Sequence, residues 1–241
     1  MTQRTILITG ASKGIGNATA KILGDRGHNV IGMARTEPKD SFPGEFVCLD
    51  LLDTGKLASA LKEITGRHSL DGVFNNVGLV NPNPIADMTL EEMEDCFTMN
   101  VKVALQCTQA ALPDMQKNKW GRVVNTASMV VAGVPFRGSY SAAKSALVSL
   151  TRTCALEFAG EGITVNSVSP GPIETELFNT NNPPGSESRQ RYVDKIPMGR
   201  TGTPAEVGET VAFLMSEGAG FITGQNIFVD GGYMAKPVSM A

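Results

Sequence analysis

The stretch Thr5-Ile-Leu-Ile-Thr9-Gly10-Ala-Ser-Lys-Gly14-Ile-Gly16, close to the start of the chain, decides the fold. Its first five residues form a short, β-branched run without polar alternation, which is typical of a strand buried on both faces in a parallel sheet. Apolar residues at helical spacing follow the glycines. The order strand, glycine turn and helix predicts an anion site, because the free N–H groups at a helix start suit a pyrophosphate.

The three glycines of this stretch have separate expected tasks. Gly10 allows a tight turn, Gly14 lets the backbone approach a ligand closely, and Gly16 lets the helix pack closely on the strand. Their spacing is G-x-x-x-G-x-G rather than the G-x-G-x-x-G of the commonest dinucleotide fingerprint. A plain turn is the alternative interpretation, and the position between an N-terminal strand and an amphipathic helix favours phosphate binding.

The rest of the chain continues the alternation of buried strands and amphipathic helices. The 241 residues are 41% hydrophobic but only 6% aromatic, with 26 glycines, as in an α/β enzyme. Further strands are predicted at 29–33, 46–49, 72–75, 121–126, 162–168 and 227–229. We therefore predict one Rossmann-type α/β domain over residues 1–241, a doubly wound parallel sheet of about seven strands with helices on both faces.

Composition and charge exclude several classes of function. The net charge is −3 and no basic stripe occurs, so we expect no nucleic-acid partner. The four cysteines and two histidines are scattered, which predicts neither a metal site nor a disulfide framework. The apolar run near the N-terminus is too short for a signal peptide, and no run is long enough to span a membrane. These features predict a cytoplasmic protein without a membrane partner.

Residues at the predicted strand ends indicate which dinucleotide is bound. Arg35 follows the second strand, where an acidic residue would bind a ribose 2′-hydroxyl and an arginine accommodates a 2′-phosphate. NADP(H) is therefore favoured over NAD(H). Asp50 follows the third strand and is expected either to bind the adenine amino group or to cap the next helix. Asp53 fits the capping role better. Asn76 and Gly78 lie beyond the fourth strand and should line the cofactor.

A tyrosine and a lysine four residues apart are candidates for proton transfer. Tyr140 and Lys144 open a predicted helix at 141–159 and should share one of its faces. A nearby ammonium favours the phenolate, which lowers the pKa of the phenol. Ser128 ends the fifth strand and could present its hydroxyl to the same substrate oxygen. A buried tyrosine beside a snorkelling lysine is the alternative interpretation.

Two other segments bear on the site. A capping box at Thr89 predicts a long helix that passes Asn100, a position where asparagine is usually solvated or locally bonded. The segment 175–200 is polar and rich in proline and glycine, which predicts a substrate lid. The arginines of this region and its surroundings could hold an anionic tail of the substrate or simply face solvent. They are Arg137, Arg189 and Arg191.

In this order and spacing, the motifs resemble the short-chain dehydrogenase/reductase family over nearly the whole chain. Residues 9–16 resemble its glycine motif, and residues 75–78 resemble its Asn-Asn-Ala-Gly motif with Val77 in place of alanine. The resemblance implies a catalytic set of Asn100, Ser128, Tyr140 and Lys144. It implies cofactor contacts from Gly10, Ser12, Lys13, Gly14, Ile15, Gly16, Arg35, Asp50, Leu51, Asn76, Gly78, Tyr140, Lys144, Pro170, Gly171, Ile173 and Thr175.

The resemblance also implies a reaction, hydride transfer between a nicotinamide and a carbonyl or secondary alcohol, with NADPH-dependent ketone reduction expected. Tyr140 would give the proton and Ser128 would stabilise the alkoxide. Lys144 would lower the pKa of Tyr140 and hold the nicotinamide ribose, and Asn100 would position a water. The substrate would be a small carbonyl or alcohol compound. Apolar residues at 142–156 would pack against a partner subunit in a homotetramer or dimer.

Several alternatives stay open on the sequence. A 3-oxoacyl-thioester reductase and a reductase of a small cyclic or aliphatic alcohol are equally compatible with it. A catalytically silent nucleotide-binding sensor is disfavoured by the intact serine, tyrosine and lysine, and an epimerase of sugar nucleotides would need a larger C-terminal domain. Ser128 lies 12 residues before Tyr140, one fewer than is usual in the family, which predicts a shortened loop and an altered pocket. Ser139 and Ser141 are the rival hydroxyls.

Overall fold

A seven-stranded parallel sheet forms the centre of the protein, for which the computed structural model describes residues 2–235. The strands are β1 (Thr5–Thr9), β2 (Asn29–Ala34), β3 (Gly44–Cys48), β4 (Gly72–Asn75), β5 (Gly121–Thr126), β6 (Ile163–Pro170) and β7 (Asn226–Val229). Their order is β3-β2-β1-β4-β5-β6-β7, and every neighbouring pair is parallel. The predicted doubly wound sheet is confirmed.

Helices cover both faces of this sheet. In the described part of the chain they are α1 (Gly14–Asp25), α2 (Thr54–Arg67), α3 (Leu90–Phe97), α4 (Val103–Asn118), α5 (Gly138–Phe158), α6 (Glu176–Asn181), α7 (Glu187–Val193) and α8 (Pro204–Leu214). Leu7 of β1 packs in the core beneath α2, α4 and α5. Its neighbours Ile6 and Ile8 pack on the opposite face against α1 and α8. The strand is uniformly apolar because both of its faces are buried.

Two helix starts follow the capping rules read from the sequence. The Asp53 carboxylate accepts a hydrogen bond from the Lys56 N–H at 3.0 Å and so caps α2. At the start of α3, Thr89 and Glu92 each accept a hydrogen bond from the other's backbone N–H at 3.1 Å. Both predicted caps are confirmed.

The predicted long helix through Asn100 is confirmed as one continuous helical stretch, although its winding changes in the middle. Between α3 and α4 the chain makes a π-helical turn, Thr98–Lys102, whose wider winding accommodates one extra residue per turn. Asn100 lies within this turn, is only 2% exposed and donates to the Cys96 carbonyl oxygen at 2.8 Å, so of the two expected states the locally bonded one occurs. The wide turn directs the amide into the interior instead of leaving it on the helix surface.

Strand ends and connections differ from the predicted ones in smaller ways. β3 spans Gly44–Cys48 rather than 46–49, and β6 continues to Pro170, two residues beyond the predicted end, because β7 pairs with its last four residues. The polar segment 175–200 contains α6 and α7. Within residues 2–235, no helix combines the length and apolarity needed to cross a bilayer.

Candidate active site

A cavity of about 600 Å³ opens above the carboxyl ends of the central strands. Its wall includes Gly14 of the glycine turn, Asn76 after β4, Ser128 after β5, and Tyr140 of α5. Ligands of open α/β sheets bind at this edge, outside the carboxyl ends of the strands. The cavity is therefore the candidate active site.

The glycine turn brings the start of α1 close to the end of β1. Gly10 and Gly14 have φ angles of +65° and +56°, a region that favours glycine. A Cβ atom on Gly16 would lie 2.3 Å from the Gly10 carbonyl oxygen, so only glycine fits there. The residue before α1, Lys13, makes no side-chain cap to the helix. The first N–H groups of α1 are therefore available to an anionic ligand.

Hydrogen bonds from Thr9 join the end of β1 to the end of β4. The Thr9 hydroxyl accepts from the N–H groups of Asn76 at 3.0 Å and Val77 at 3.1 Å. In return the Asn76 side-chain amide donates to the carbonyl oxygens of Thr9 and Gly10, both at 3.2 Å. The sequence reasoning missed Thr9. The available signal was a hydroxyl at the last position of a strand whose three middle residues are apolar.

Tyr140 and Lys144 lie in the first two turns of α5. The Lys144 amine is 5.6 Å from the centroid of the Tyr140 ring and donates to the Thr126 carbonyl oxygen at 2.5 Å. Ser128 begins a short 3₁₀ turn, where its hydroxyl accepts from the Val130 N–H at 3.3 Å. Ser128 and Tyr140 share the cavity wall, whereas the rival Ser139 is buried away from it.

The pKa values of this pair differ from the predicted ones. Burial raises the pKa of Tyr140 to about 12, and the nearby Ser128 hydroxyl opposes that rise. Burial also lowers the pKa of Lys144 to about 7. The prediction that Lys144 lowers the pKa of Tyr140 is therefore wrong for this structure, because burial of the phenol dominates and the lysine amine is held against Thr126. At neutral pH Tyr140 is a protonated phenol.

The burial of Lys144 predicts a pH-dependent stability. Its folded-state pKa of about 7 lies below the ordinary 10.5, so between these pH values the unfolded chain binds more protons than the folded one. The free energy of unfolding of the ligand-free wild type, minus that of Lys144→Met, should therefore rise from pH 7 to pH 10.5. Below pH 7 this difference should be constant. Urea unfolding of both proteins across this range measures the difference. A difference that stays constant or falls as the pH rises would contradict the assignment.

Asn100 places an unsatisfied acceptor beside the lysine. Its side-chain N–H groups donate to the carbonyl oxygens of Cys96 at 2.8 Å and Leu79 at 2.9 Å. Its Oδ1 atom is buried and has no hydrogen-bond partner in the described part of the chain. A Cβ on Gly78 would lie 3.0 Å from this oxygen and 3.6 Å from the Lys144 amine. Gly78 therefore keeps open the space that both polar atoms border.

The predicted adenosine contacts lie outside the main cavity. Arg35 and Asp50 are exposed at the carboxyl ends of β2 and β3, and Leu51 is buried. Asp50 accepts from the Leu52 N–H at 3.1 Å. A second opening of about 250 Å³ lies between the glycine turn and the residues after β2. Its wall is formed by Ser12, Lys13, Gly14, Asn17, Thr36, Glu37, Lys39, Asp40 and Glu176.

The segment after β6 forms the remaining side of the main cavity. The predicted cofactor contacts Pro170, Gly171, Ile173 and Thr175 all line it, as does Ile15 from α1. Helices α6 and α7 add side chains to the same wall, where the rings of Phe178 and Tyr192 meet edge to face at 5.5 Å. Among residues 2–235, no cluster of three or more His, Cys, Asp or Glu side chains is placed to hold a metal ion.

Comparison with known proteins finds a matching family model and a similar protein of known activity. A family model described as enoyl-(acyl carrier protein) reductase matches residues 10–234. The chain is 34% identical over 238 residues to the 3-oxoacyl-[acyl-carrier-protein] reductase FabG of Vibrio cholerae, covering 95% of this chain and 96% of the relative.

Solved structures with the same fold cover almost the whole chain. A putative NAD(P) dependent gluconate 5-dehydrogenase from Beutenbergia cavernae, with bound NADP, aligns with a TM-score of 0.91 and 31% identity over 98% of both chains. YwfH, an NADPH dependent reductase involved in bacilysin biosynthesis, aligns with a TM-score of 0.89 and 27% identity, covering 98% of this chain and 100% of YwfH.

Proposed function

Because the chain belongs to the short-chain dehydrogenase/reductase family and is an NAD(P)-dependent oxidoreductase, we propose that it reduces a ketone to a secondary alcohol with NADPH. One observation carries this proposal. The hydroxyl-bearing residues Ser128 and Tyr140 line the same cavity as the glycine turn. A reduction needs an acid such as Tyr140, because the carbonyl oxygen becomes a strongly basic alkoxide.

The residues present fit a nicotinamide dinucleotide. The uncapped start of α1 suits the pyrophosphate, and the stretch from Pro170 to Thr175 would border the nicotinamide end. The bound cofactor supplies the hydride. The unsatisfied Asn100 oxygen and the space beside Gly78 are further signs that the site is shaped for groups other than its own side chains.

The roles of the chain's own groups follow from their positions. Tyr140 would donate its proton to the substrate oxygen while the Ser128 hydroxyl donates a hydrogen bond to the same oxygen. Lys144, with a pKa of about 7, can carry a proton at neutral pH and replace the one that Tyr140 gives up. A water between the Asn100 oxygen and the Lys144 amine would connect this pair to solvent.

The preference for NADPH is proposed to depend on Arg35, which is exposed at the end of β2. Replacing Arg35 by Ala should lower the ratio of kcat/KM for NADPH to that for NADH by about 10- to 100-fold, the usual effect of a charged hydrogen bond. Steady-state kinetics with both cofactors measures this ratio. Arg67→Ala is the matched control, since Arg67 pairs with Glu45 at 2.6 Å near the start of β3, at the opposite end of the strands from Arg35. An unchanged ratio in Arg35→Ala would show that Arg35 does not determine the preference for NADPH.

A second candidate is the reduction of a 3-oxoacyl thioester, which is supported by the activity in the name of the Vibrio cholerae relative. A panel of ketones, alcohols and 3-oxoacyl thioesters, each measured with NADPH and NADH as kcat/KM, tests both candidates. Tight NADPH binding without oxidation of NADPH by any carbonyl would support a catalytically silent nucleotide sensor instead.

Three further features belong to the proposal. We place the whole chain, 1–241, in one domain and assign the segment 175–200 as the lid, since α6 and α7 bring Phe178 and Tyr192 to the cavity. We also propose a cytoplasmic homotetramer or dimer. The exposed Leu105 of α4 and Leu156 of α5, 36% and 85% accessible, are candidates for its interface. Light scattering of the purified protein tests the assembly.

A further inference from the structure

The turn before α5 fixes the position of one arginine beside the catalytic tyrosine. Phe136 has a φ angle of +63°, a conformation that is uncommon for a residue other than glycine and that clusters at functional sites. Gly138 packs so closely on Ile85 that a Cβ would lie 2.5 Å from its Cδ1 atom. Between them, Arg137 immediately precedes α5, three residues before Tyr140. The backbone around Arg137 is therefore constrained from both sides.

The Arg137 side chain lies in the cavity wall without an acidic partner. It is half-buried and lines the same cavity as Ser128 and Tyr140. Its Nη1 atom donates to the Phe136 carbonyl oxygen at 3.3 Å, and no carboxylate of residues 2–235 lies within salt-bridge distance of it. Burial has the largest effect on the pKa of Tyr140, and the positive charge of Arg137 opposes the resulting rise. The guanidinium is thus close enough to act on the reacting group.

The other two arginines that could bind an anionic substrate are already neutralised. Arg189 pairs with Glu174 and also donates to the side-chain oxygen of Asn179 at 2.9 Å. Arg191 pairs with Glu187 one helical turn away at 3.4 Å. The carboxylate of Glu176, which borders the cavity, is bound by Lys39 at 3.0 Å and lies 3.6 Å from Lys13. Of the three arginines, Arg137 alone faces the cavity with an unneutralised charge.

Resting on the proposed function, we propose that Arg137 binds the carboxylate of an oxo acid whose carbonyl is reduced at Ser128 and Tyr140. Arg137 and Tyr140 both line the cavity, and the charge of Arg137 acts on the Tyr140 hydroxyl. A substrate that reaches both groups would therefore carry its carboxylate only a few bonds from the reacting carbonyl, as in 2-, 3- and 4-oxo acids. A guanidinium matches a carboxylate through two parallel N–H donors, which selects an acid over its neutral ester.

The rest of the cavity suits the remainder of such a substrate. Leu79, Val80 and Pro82 give its wall an apolar part. The Asn181 and Asn182 amides, contributed by α6 and the residue after it, line the same cavity. A short oxo acid with an apolar end would place its carbon chain on the first group and its polar atoms toward Arg137 and the amides.

Kinetics on matched acids and esters test the assignment. The reduction of acetoacetate, pyruvate and levulinate by NADPH is compared with that of their methyl esters, and the acid-to-ester ratio of kcat/KM is the readout. We expect the wild type to prefer at least one acid. Arg137→Gln should lower that acid's ratio by about 10- to 100-fold, and Arg137→Lys should restore part of it. Because the ester reports any general loss of catalysis, the ratio isolates recognition of the carboxylate. Arg191→Gln is the matched control and should leave the ratio unchanged.

Each outcome decides between the proposals. A wild-type ratio near one for every pair, or a ratio unchanged in Arg137→Gln, would overturn the role of Arg137 while the proposed ketone reduction stands. So would a strong preference for an acetoacetyl thioester over acetoacetate that persists in Arg137→Gln. Absence of NADPH oxidation with every acid, ester and thioester would overturn both proposals. If Arg137→Gln does not fold, wild-type inhibition by 3-hydroxybutyrate relative to its methyl ester provides the same comparison, and equal inhibition constants would reject carboxylate binding.

Discussion

Replacing Tyr140 by Phe should lower kcat for ketone reduction by at least about 100-fold while leaving the affinity for NADPH nearly unchanged. The substitution removes the hydroxyl that faces the cavity beside Ser128 and keeps the aromatic ring that packs 5.6 Å from the Lys144 amine. Without the phenol the alkoxide has no proton donor in place, so the loss should appear in kcat rather than in cofactor binding. Steady-state kinetics and a fluorescence titration with NADPH measure the two quantities separately.

Tyr233→Phe is the matched control for this substitution. Tyr233 donates its backbone N–H to the Asp230 carbonyl oxygen at 3.2 Å and does not line the cavity. Removing its hydroxyl should therefore leave kcat within about twofold of the wild type, as for surface changes remote from the site. Near wild-type turnover in Tyr140→Phe, or an equal loss in both variants, would show that Tyr140 is not the acid.

Replacing Gly16 by Ala should lower the free energy of unfolding by about 3 kcal/mol, because overpacking a tight contact has an effect of this size. The new methyl group would lie 2.3 Å from the Gly10 carbonyl oxygen and 2.7 Å from the Asn76 amide nitrogen. The glycine turn would have to open, which displaces the start of α1 from the cavity. We expect the dissociation constant for NADPH to rise at least about tenfold, since anion binding at a helix start depends on the direction of its N–H groups. Urea unfolding and calorimetric titration measure both effects.

Replacing Gly66 by Ala should instead raise the free energy of unfolding. Gly66 lies in the last turn of α2, and a Cβ there would meet no atom within 4 Å. Alanine should therefore stabilise the helix by about 0.5–1 kcal/mol without changing NADPH binding. If the two alanine variants gave similar unfolding energies, the close contact at Gly16 would not be the reason for its glycine.

The elements that sequence predicted well are those determined by local pattern. The apolar run of β1 predicts a strand that is buried on both faces. Leu7 and its neighbour Ile8 do pack in the cores on opposite faces of the sheet. The caps at Asp53 and Thr89 depend only on contacts within three residues. The positive φ angle of Gly10 follows from a tight turn between a strand and a helix. Such features need no knowledge of distant parts of the chain.

The features that sequence could not provide depend on distant contacts and on burial. Arg137 and Arg189 are equivalent candidates in the sequence, and only the folded chain brings Glu174 to Arg189. The pKa values of Tyr140 and Lys144 are shifted mainly by desolvation, which no residue spacing reveals. The lysine would lower the pKa of the tyrosine in an exposed pair, whereas desolvation outweighs that effect in this buried pair.

The π-helical turn at Thr98–Lys102 lets the continuous helical stretch from α3 to α4 present different faces to the interior before and after the turn. Upstream of it, Cys96 is buried beside Asn100 of the candidate site; downstream, Cys107 and Met115 are buried in the core against the sheet. Each residue of an ordinary α-helix advances the winding by about 100°. The extra residue in the turn sets the angular offset between the two stretches, so the end beside the candidate site and the end in the core can each keep their own orientation. Loss of one residue here would force either the asparagine out of the interior or the downstream side chains out of the core.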